Sequence, residues 1–137
     1  MSDKIMLSIH HKYAELIFSG DKTIEIRKTA PSGGSFPYII FMYETKRGGG
    51  AGAVVGFFKC GAIIKTNVFS KKFSKEAEIY KKETAERACL SVEELESYAG
   101  GGSIRGLTVE TAIRFPQPRP LSDFGLSKAP QSWRYLK

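Results

Sequence analysis

Between two turn-forming stretches the chain runs Tyr38-Ile-Ile-Phe-Met-Tyr43, six residues with no strongly polar side chain among them. It is the longest apolar run in the sequence, and it falls far short of the roughly 18 such residues that a membrane-crossing helix needs. A short, unbroken apolar run bounded by turn residues fits a strand that is covered on both faces. The fold is therefore expected to place this segment at the centre of a sheet, with apolar layers above and below. Pro31, Gly33, Gly34 and Pro37 punctuate the loop before it, and Arg47-Gly-Gly-Gly-Ala-Gly-Ala53 forms a glycine-rich turn after it.

The remaining periodicities arrange themselves around that centre. In Lys4–Ile9, Ile5, Leu7 and Ile9 alternate with Met6, Ser8 and the following His10, the pattern of a strand with one face in the core. From His11 to Ser19 the apolar positions Tyr13, Leu16 and Ile17 take helical spacing, and Gly20 stands where a left-handed cap is wanted. Thr23 to Arg27 alternates again, Ile24 and Ile26 against Thr23, Glu25 and Arg27. Val54 to Ile64 reads as one long strand in which Gly56 and Gly61 mark bulges or bends. Lys65 to Phe73 is a polar connector containing the basic pair Lys71 and Lys72. Ser74 to Arg87 has the Phe73, Ala77, Tyr80 spacing of an amphipathic helix, with Lys81 to Arg87 as self-balanced surface charge. Ser91-Val-Glu-Glu94 fits a capping box for a helix that turns Val92, Leu95 and Tyr98 inward and stops at Gly100 to Gly102. Leu107 to Phe115 alternates as a further strand, which Pro116, Pro118 and Pro120 forbid from continuing. The tail closes with Trp133 to Leu136. The order strand, helix, three strands, two helices, two strands predicts an α+β fold whose mixed sheet curls into a barrel.

Charge narrows the choice of partner. Lys plus Arg number 21 against 14 Asp plus Glu, a net +7 that favours a polyanion. The 137 residues suit one domain spanning 1–137, and the opening Met1-Ser-Asp-Lys lacks the apolar core of a secretory signal, so a cytoplasmic location is expected. Cys60 and Cys89 belong to no C-x-x-C pair, and Cys60 among Phe57, Phe58, Ile63 and Ile64 reads as a small buried apolar residue. His10 and His11 are neighbours that an extended chain points to opposite sides, and no four-ligand zinc set exists, so neither metal nor other cofactor is expected. The glycine turn has no Gly-Lys-Ser/Thr ending and no helix after it, which argues against a phosphate cradle.

The informative polar row is Lys22, Thr23, Glu25, Arg27 and Lys28. A carboxylate two residues from a guanidinium on one strand face forms an oriented pair able to hold a planar polar ligand such as a base edge. Lys22, at the strand start, is placed to meet a phosphate or, if desolvated, to act as an amine of lowered pKa.

Leu7 to Arg27 resembles the opening of the ASCH (activating signal cointegrator homology) domain, whose signature G-x-K-x-x-E-x-R is matched by Gly20, Lys22, Glu25 and Arg27. Tyr43-Glu-Thr-Lys46, Val54 to Phe58, Leu121 to Leu126 and Pro130 to Trp133 are similar to small bacterial and phage-type members. The resemblance implies a PUA-like pseudo-barrel of about five to six strands and two to three helices. Its cleft, lined by the signature strand, would bind RNA or another single-stranded nucleic acid through Lys22, Glu25, Arg27, Lys28, Arg47 and Trp133. It also implies an alternative. One branch of small members resembles an N4-acetylcytidine amidohydrolase with a Lys, Thr and Glu set. Lys22 matches its lysine, whereas Glu25 and Ala88 occupy the other two positions, with Thr23 and Glu86 nearby. Metal-independent cleavage of RNA is a further hydrolase reading, for which His10, Tyr43, Lys46 and Ser132 are residue types of the needed acid–base character. Trp133 either closes the barrel or offers a stacking face. Where many members carry an aromatic and histidine-containing segment, this chain has Gly102-Ser-Ile-Arg-Gly106. A monomer or weak dimer without membrane contact completes the expectation.

Overall fold

A computed structural model describes residues 3–70 and 75–137. The expected helix start at Ser74, together with Lys71, Lys72 and Phe73, lies outside the described residues. The described elements are β1 (Lys4–Ile9), α1 (His11–Ser19), β2 (Ile24–Arg27), β3 (Tyr38–Glu44), β4 (Ala53–Cys60), β5 (Ile63–Thr66), α2 (Lys75–Ala88), α3 (Val92–Ala99), β6 (Ile104–Thr108), β7 (Thr111–Arg119) and β8 (Trp133–Tyr135). They form an α+β fold with two sheets, one ordered β7-β4-β3-β1-β8 and the other β2-β6-β5.

The apolar hexapeptide sits where its composition demands. β3 is the middle strand of the larger sheet, parallel to β1 and antiparallel to β4. On one side Tyr38, Ile40 and Met42 join Ile5, Leu7, Ile9, Ile17 and Phe58 in the main core. On the other, Phe41 and Tyr43 pack over Met6, Val54 and Leu126. That second layer corrects the reading of β1, which is buried on both faces: Met6 is fully covered, and the Ser8 hydroxyl donates to Pro130 O at 2.6 Å.

Two long strands expected from sequence each break into two. Val54 to Ile64 divides at Gly61-Ala62, where the Ala62 amide donates to Thr108 Oγ1 at 3.1 Å and the Gly61 amide to the Glu110 carboxylate. Its halves, β4 and β5, enter different sheets. Leu107 to Phe115 likewise divides at Val109-Glu110, whose amides donate to Thr23 O and Lys59 O across the junction of the sheets. The segment Gly102 to Gly106 is partly strand, since β6 begins at Ile104 and lies between β2 and β5. These divisions and the short β8 raise the count above the expected five to six strands. The prolines do not stop β7 either. It is an edge strand, and Pro116 and Pro118 fall between Arg114 (opposite Gly56) and Arg119 (opposite Val54), where the ladder is interrupted and no amide is required of them.

The helices differ from expectation in which side they bury. The inner face of α2 is Lys81, Thr84, Ala85 and Ala88, while Tyr80 is exposed. Lys81 is no surface charge: its side chain is covered and its ammonium lies 3.2 Å from both Glu78 and Glu96. α3 has the capping box, the Ser91 hydroxyl accepting from the Glu94 amide and the Glu94 carboxylate from the Ser91 amide. It buries Leu95 and Ala99 and leaves Tyr98 at the rim of a cleft. No described helix is long and apolar enough to cross a membrane.

Candidate nucleic-acid interface

The signature residues come together because β2 runs between the ends of two helices. Gly20, at φ 89°, caps α1 in the left-handed conformation, which glycine adopts without steric cost. The chain then turns sharply, with the Lys22 amide donating to Leu16 O at 2.9 Å and the Thr23 amide to Arg87 O at 2.8 Å. This turn threads the Lys22 side chain into the interior, where only 1 % of it is exposed. Its ammonium donates to Ala88 O at 2.5 Å, lies 3.4 Å from Glu25 Oε1 and stands 5.1 Å from the centre of the Tyr13 ring. Ala88 is the last residue of α2, so the cation meets a carbonyl that the helix leaves unpaired, at the negative end of its dipole.

Glu25 stands between two cations. Its Oε2 accepts from Arg27 Nε at 2.8 Å, and its side chain is 8 % exposed. The rest of the Arg27 guanidinium ties three segments: one amino group donates to Ser8 O at 2.7 Å, the other to Ser132 Oγ at 3.1 Å. Arg27 is thus largely consumed in holding β2 against β1 and against Ser132 just ahead of β8, a clamp that the strand alternation alone does not reveal. Three of the six buried polar or charged residues described, Ser8, Lys22 and Glu25, belong to this floor.

Above this floor opens a cleft of about 820 Å³. Ser8, Ile9, Lys22, Glu25, Ile26 and Arg27 line its base; His10, Tyr13, Thr45, Arg47, Leu90, Glu94, Tyr98 and Gln131 form its walls. His10 is the N-cap of α1, its Nδ1 accepting from the Lys12 amide at 3.0 Å. Tyr98 accepts from the Lys28 amide through its hydroxyl at 3.2 Å, and Lys28 Nζ lies 5.2 Å from its ring centre.

The other expected site residues scatter. Thr23 faces a smaller hollow of about 310 Å³ behind the cleft, where its hydroxyl accepts from Arg87 Nε at 3.2 Å, so it does not share Glu25's side. β2 begins only at Ile24, and the alternation that would align Thr23 with Glu25 does not extend back to it. Tyr43 packs on the far face of the large sheet with the Met6 cluster, away from the cleft. Lys46 is exposed and runs along Gly52 in the glycine turn. Ser132 lies against Arg27, and Trp133 packs on the main core with its indole donating to Thr29 Oγ1 at 3.1 Å. Of these residues the structure gathers Lys22, Glu25, Arg27 and Arg47 around one cleft, with Lys28 at its rim and Ser132 behind its floor. Sequence reasoning did not single out Tyr13 or Tyr98 as walls of this site. The helical spacing of Tyr13 and the sequence position of Tyr98 gave only an inner-face reading.

A mixed five-stranded sheet and a three-stranded sheet enclosing a cleft that begins at a G-x-K-x-x-E-x-R strand define a PUA-like α+β module. The sequence profile of the ASCH domain matches residues 7–99, and the chain belongs to that family. The crystal structure of ASCH from Zymomonas mobilis superposes with a TM-score of 0.77 at 22 % identity, over 98 % of this chain and 87 % of that one. A mutant of the same protein, with one serine replaced by alanine, gives 0.76 at 21 % identity over 98 % and 88 % of the two chains. A second mutant, with a tyrosine replaced by phenylalanine, gives 0.76 at 21 % over 98 % and 90 %. Among curated proteins none matches the chain in sequence.

Proposed function

We propose that this domain binds single-stranded RNA in the cleft above Lys22, Glu25 and Arg27. The observation that carries the reading is the cleft itself: an ion-paired floor under walls that combine the aromatic faces of Tyr13 and Tyr98 with the exposed guanidinium of Arg47. The floor triad carries one net positive charge and is held by buried bonds, so it meets a ligand without reorganising. Tyr98 exposes 39 % of its surface at the rim with the Lys28 ammonium beside it, and Arg47 projects exposed from the glycine turn. Base stacking on such a ring is worth about 1–3 kcal/mol. A concave site with stacking faces takes a base that is already unstacked, which a duplex does not offer. Membership of a family generally thought to bind RNA, and a net charge of +7, support the same partner.

The test is a fluorescence-anisotropy titration of labelled single-stranded RNA, duplex RNA and DNA at two salt concentrations, for wild type, Tyr98→Ala and Arg47→Ala. The proposal expects saturable binding to the single strand, weakened at least tenfold by Tyr98→Ala. Arg47→Ala should lower the slope of log K against log salt by about 0.7, one phosphate contact on a single strand. Absence of binding by wild type, or binding that neither variant alters, overturns it. Gel analysis of the same samples reads the hydrolase alternative directly, since cleavage that Lys22→Met abolishes would assign the cleft to catalysis.

A further inference from the structure

His10 and His11 do point to opposite sides, and the side away from the cleft holds a second cluster. His11 opens α1, Glu15 follows one turn later on the same helix face, and Glu44 ends β3. Ligating atoms of the three lie within 4.8 Å of one another. His11 Nδ1 is 3.0 Å from Glu44 Oε1 and 3.9 Å from Glu15 Oε1. We propose that His11, Glu15 and Glu44 bind a divalent transition-metal ion of the zinc type.

Two observations support the site. The first is spacing: metal–ligand bonds of about 2.0–2.2 Å hold neighbouring donor atoms about 3.0–3.5 Å apart. The Glu44 distance already falls in that range, and the Glu15 distance of 3.9 Å lies just beyond it. The second is an unanswered polar group. The Glu44 side chain is 4 % exposed, and its Oε2 has no hydrogen-bond partner; His11 Nδ1, buried beside it, has no hydrogen bond of acceptable geometry either. A buried carboxylate oxygen without a partner is costly, and a cation bound by that carboxylate removes that cost.

The surroundings orient the ligands. The Ala51 amide donates to Glu44 Oε1 at 2.9 Å, and Arg114 holds Glu15 Oε2 at 2.7 Å, which leaves Glu15 Oε1 toward the histidine. Outer contacts of this kind fix metal ligands in position. One imidazole and two carboxylates suit zinc, with water completing the coordination. Because Glu44 also anchors the glycine turn through Ala51, a bound ion would fasten that turn to α1. None of the three ligands lines the cleft, and the site does not depend on the RNA reading.

The test uses the full chain without a histidine tag, stripped with chelator and titrated with Co²⁺ by visible absorption, then with Zn²⁺ in competition. Equilibrium dialysis gives the stoichiometry. The expected result is one equivalent of Co²⁺, displaced by Zn²⁺, with affinity reduced at least tenfold in His11→Ala and Glu44→Gln and unchanged in the surface control Glu86→Gln. Wild type that takes up no stoichiometric metal, or uptake that survives His11→Ala, overturns the proposal and leaves a His–Glu ion pair. Circular dichroism checks that each variant is folded; if Glu44→Gln loosens the turn, His11→Ala alone decides.

Discussion

Replacing Glu25 with glutamine keeps the shape of the cleft floor but removes the anion from between two cations. The side chains of Lys22, Glu25 and Arg27 are 1 %, 8 % and 13 % exposed, so the charges left behind cannot be solvated as surface groups would be. Breaking a buried pair by removing one partner costs about 3–5 kcal/mol. Here the lower end applies, because Lys22 keeps Ala88 O and the Tyr13 ring, and Arg27 keeps Ser8 O and Ser132. With an unfolding entropy of about 2.1 cal/mol/K per residue, a loss of about 3 kcal/mol lowers Tm by about 10 °C in a chain of 137 residues. Thermal unfolding followed by circular dichroism measures it. The double variant Lys22→Met/Glu25→Gln removes the orphaned ammonium as well, and should be more stable than the sum of the two single changes predicts by about 1–3 kcal/mol. A Tm change under about 2 °C for Glu25→Gln, or strict additivity in the cycle, would refute the claim that the floor is an electrostatically coupled unit.

Other outcomes follow from local geometry. A Cβ on Gly56 would lie 2.3 Å from Ile113 O and 2.7 Å from the Phe18 ring, so Gly56→Ala should destabilise by about 1–3 kcal/mol in urea titration, whereas a neutral result would show that β4 and β7 are not packed as described. Hydrogen bonds from the Ser91 backbone and then its hydroxyl hold the Glu94 carboxyl below its ordinary range. A depressed folded pKa means stabilisation that is present above the unfolded value of about 4.3 and disappears as pH falls through the folded one. The Tm gap between wild type and Glu94→Ala should accordingly be widest near neutrality and close in acid; a gap that persists or widens there contradicts the capping box. Burial pushes the Cys60 thiol up, and its side chain is covered, while Cys89 is partly open. A thiol reagent should therefore modify Cys89 well before Cys60 in the native protein, and equal rates would contradict the packing.

What could be read from sequence was whatever the chain encodes locally. The unbroken run Tyr38 to Tyr43 announced a central strand, Gly20 a left-handed cap, and Ser91 with Glu94 a capping box, because each depends on neighbours within four residues. The G-x-K-x-x-E-x-R spacing located the floor of the cleft. What escaped depended on distant partners. Whether Met6 and Ser8 are buried is decided by Leu126 and Pro130, more than a hundred residues away. The breaks at Gly61-Ala62 and Val109-Glu110 arise where two sheets meet, and nothing in their alternation marks that. Lys81 reads as surface because its partner Glu96 belongs to the next helix. Thr23 shares a parity with Glu25 but precedes the strand, so Arg87 captures it instead. Glu44 ends an apolar strand and gains its company only when α1 folds back beside it.

The measurement that tests the central claim most directly is an amide chemical-shift titration of the isotopically labelled chain with a short single-stranded RNA. Binding in the cleft predicts shifts concentrated at Ser8 to His10, Tyr13, Glu25 to Arg27, Thr45, Arg47, Glu94, Tyr98 and Gln131, which line it. Shifts confined instead to the opposite sheet face around Phe41, Phe57, Phe115 and Phe124, with the cleft amides unmoved, would contradict it.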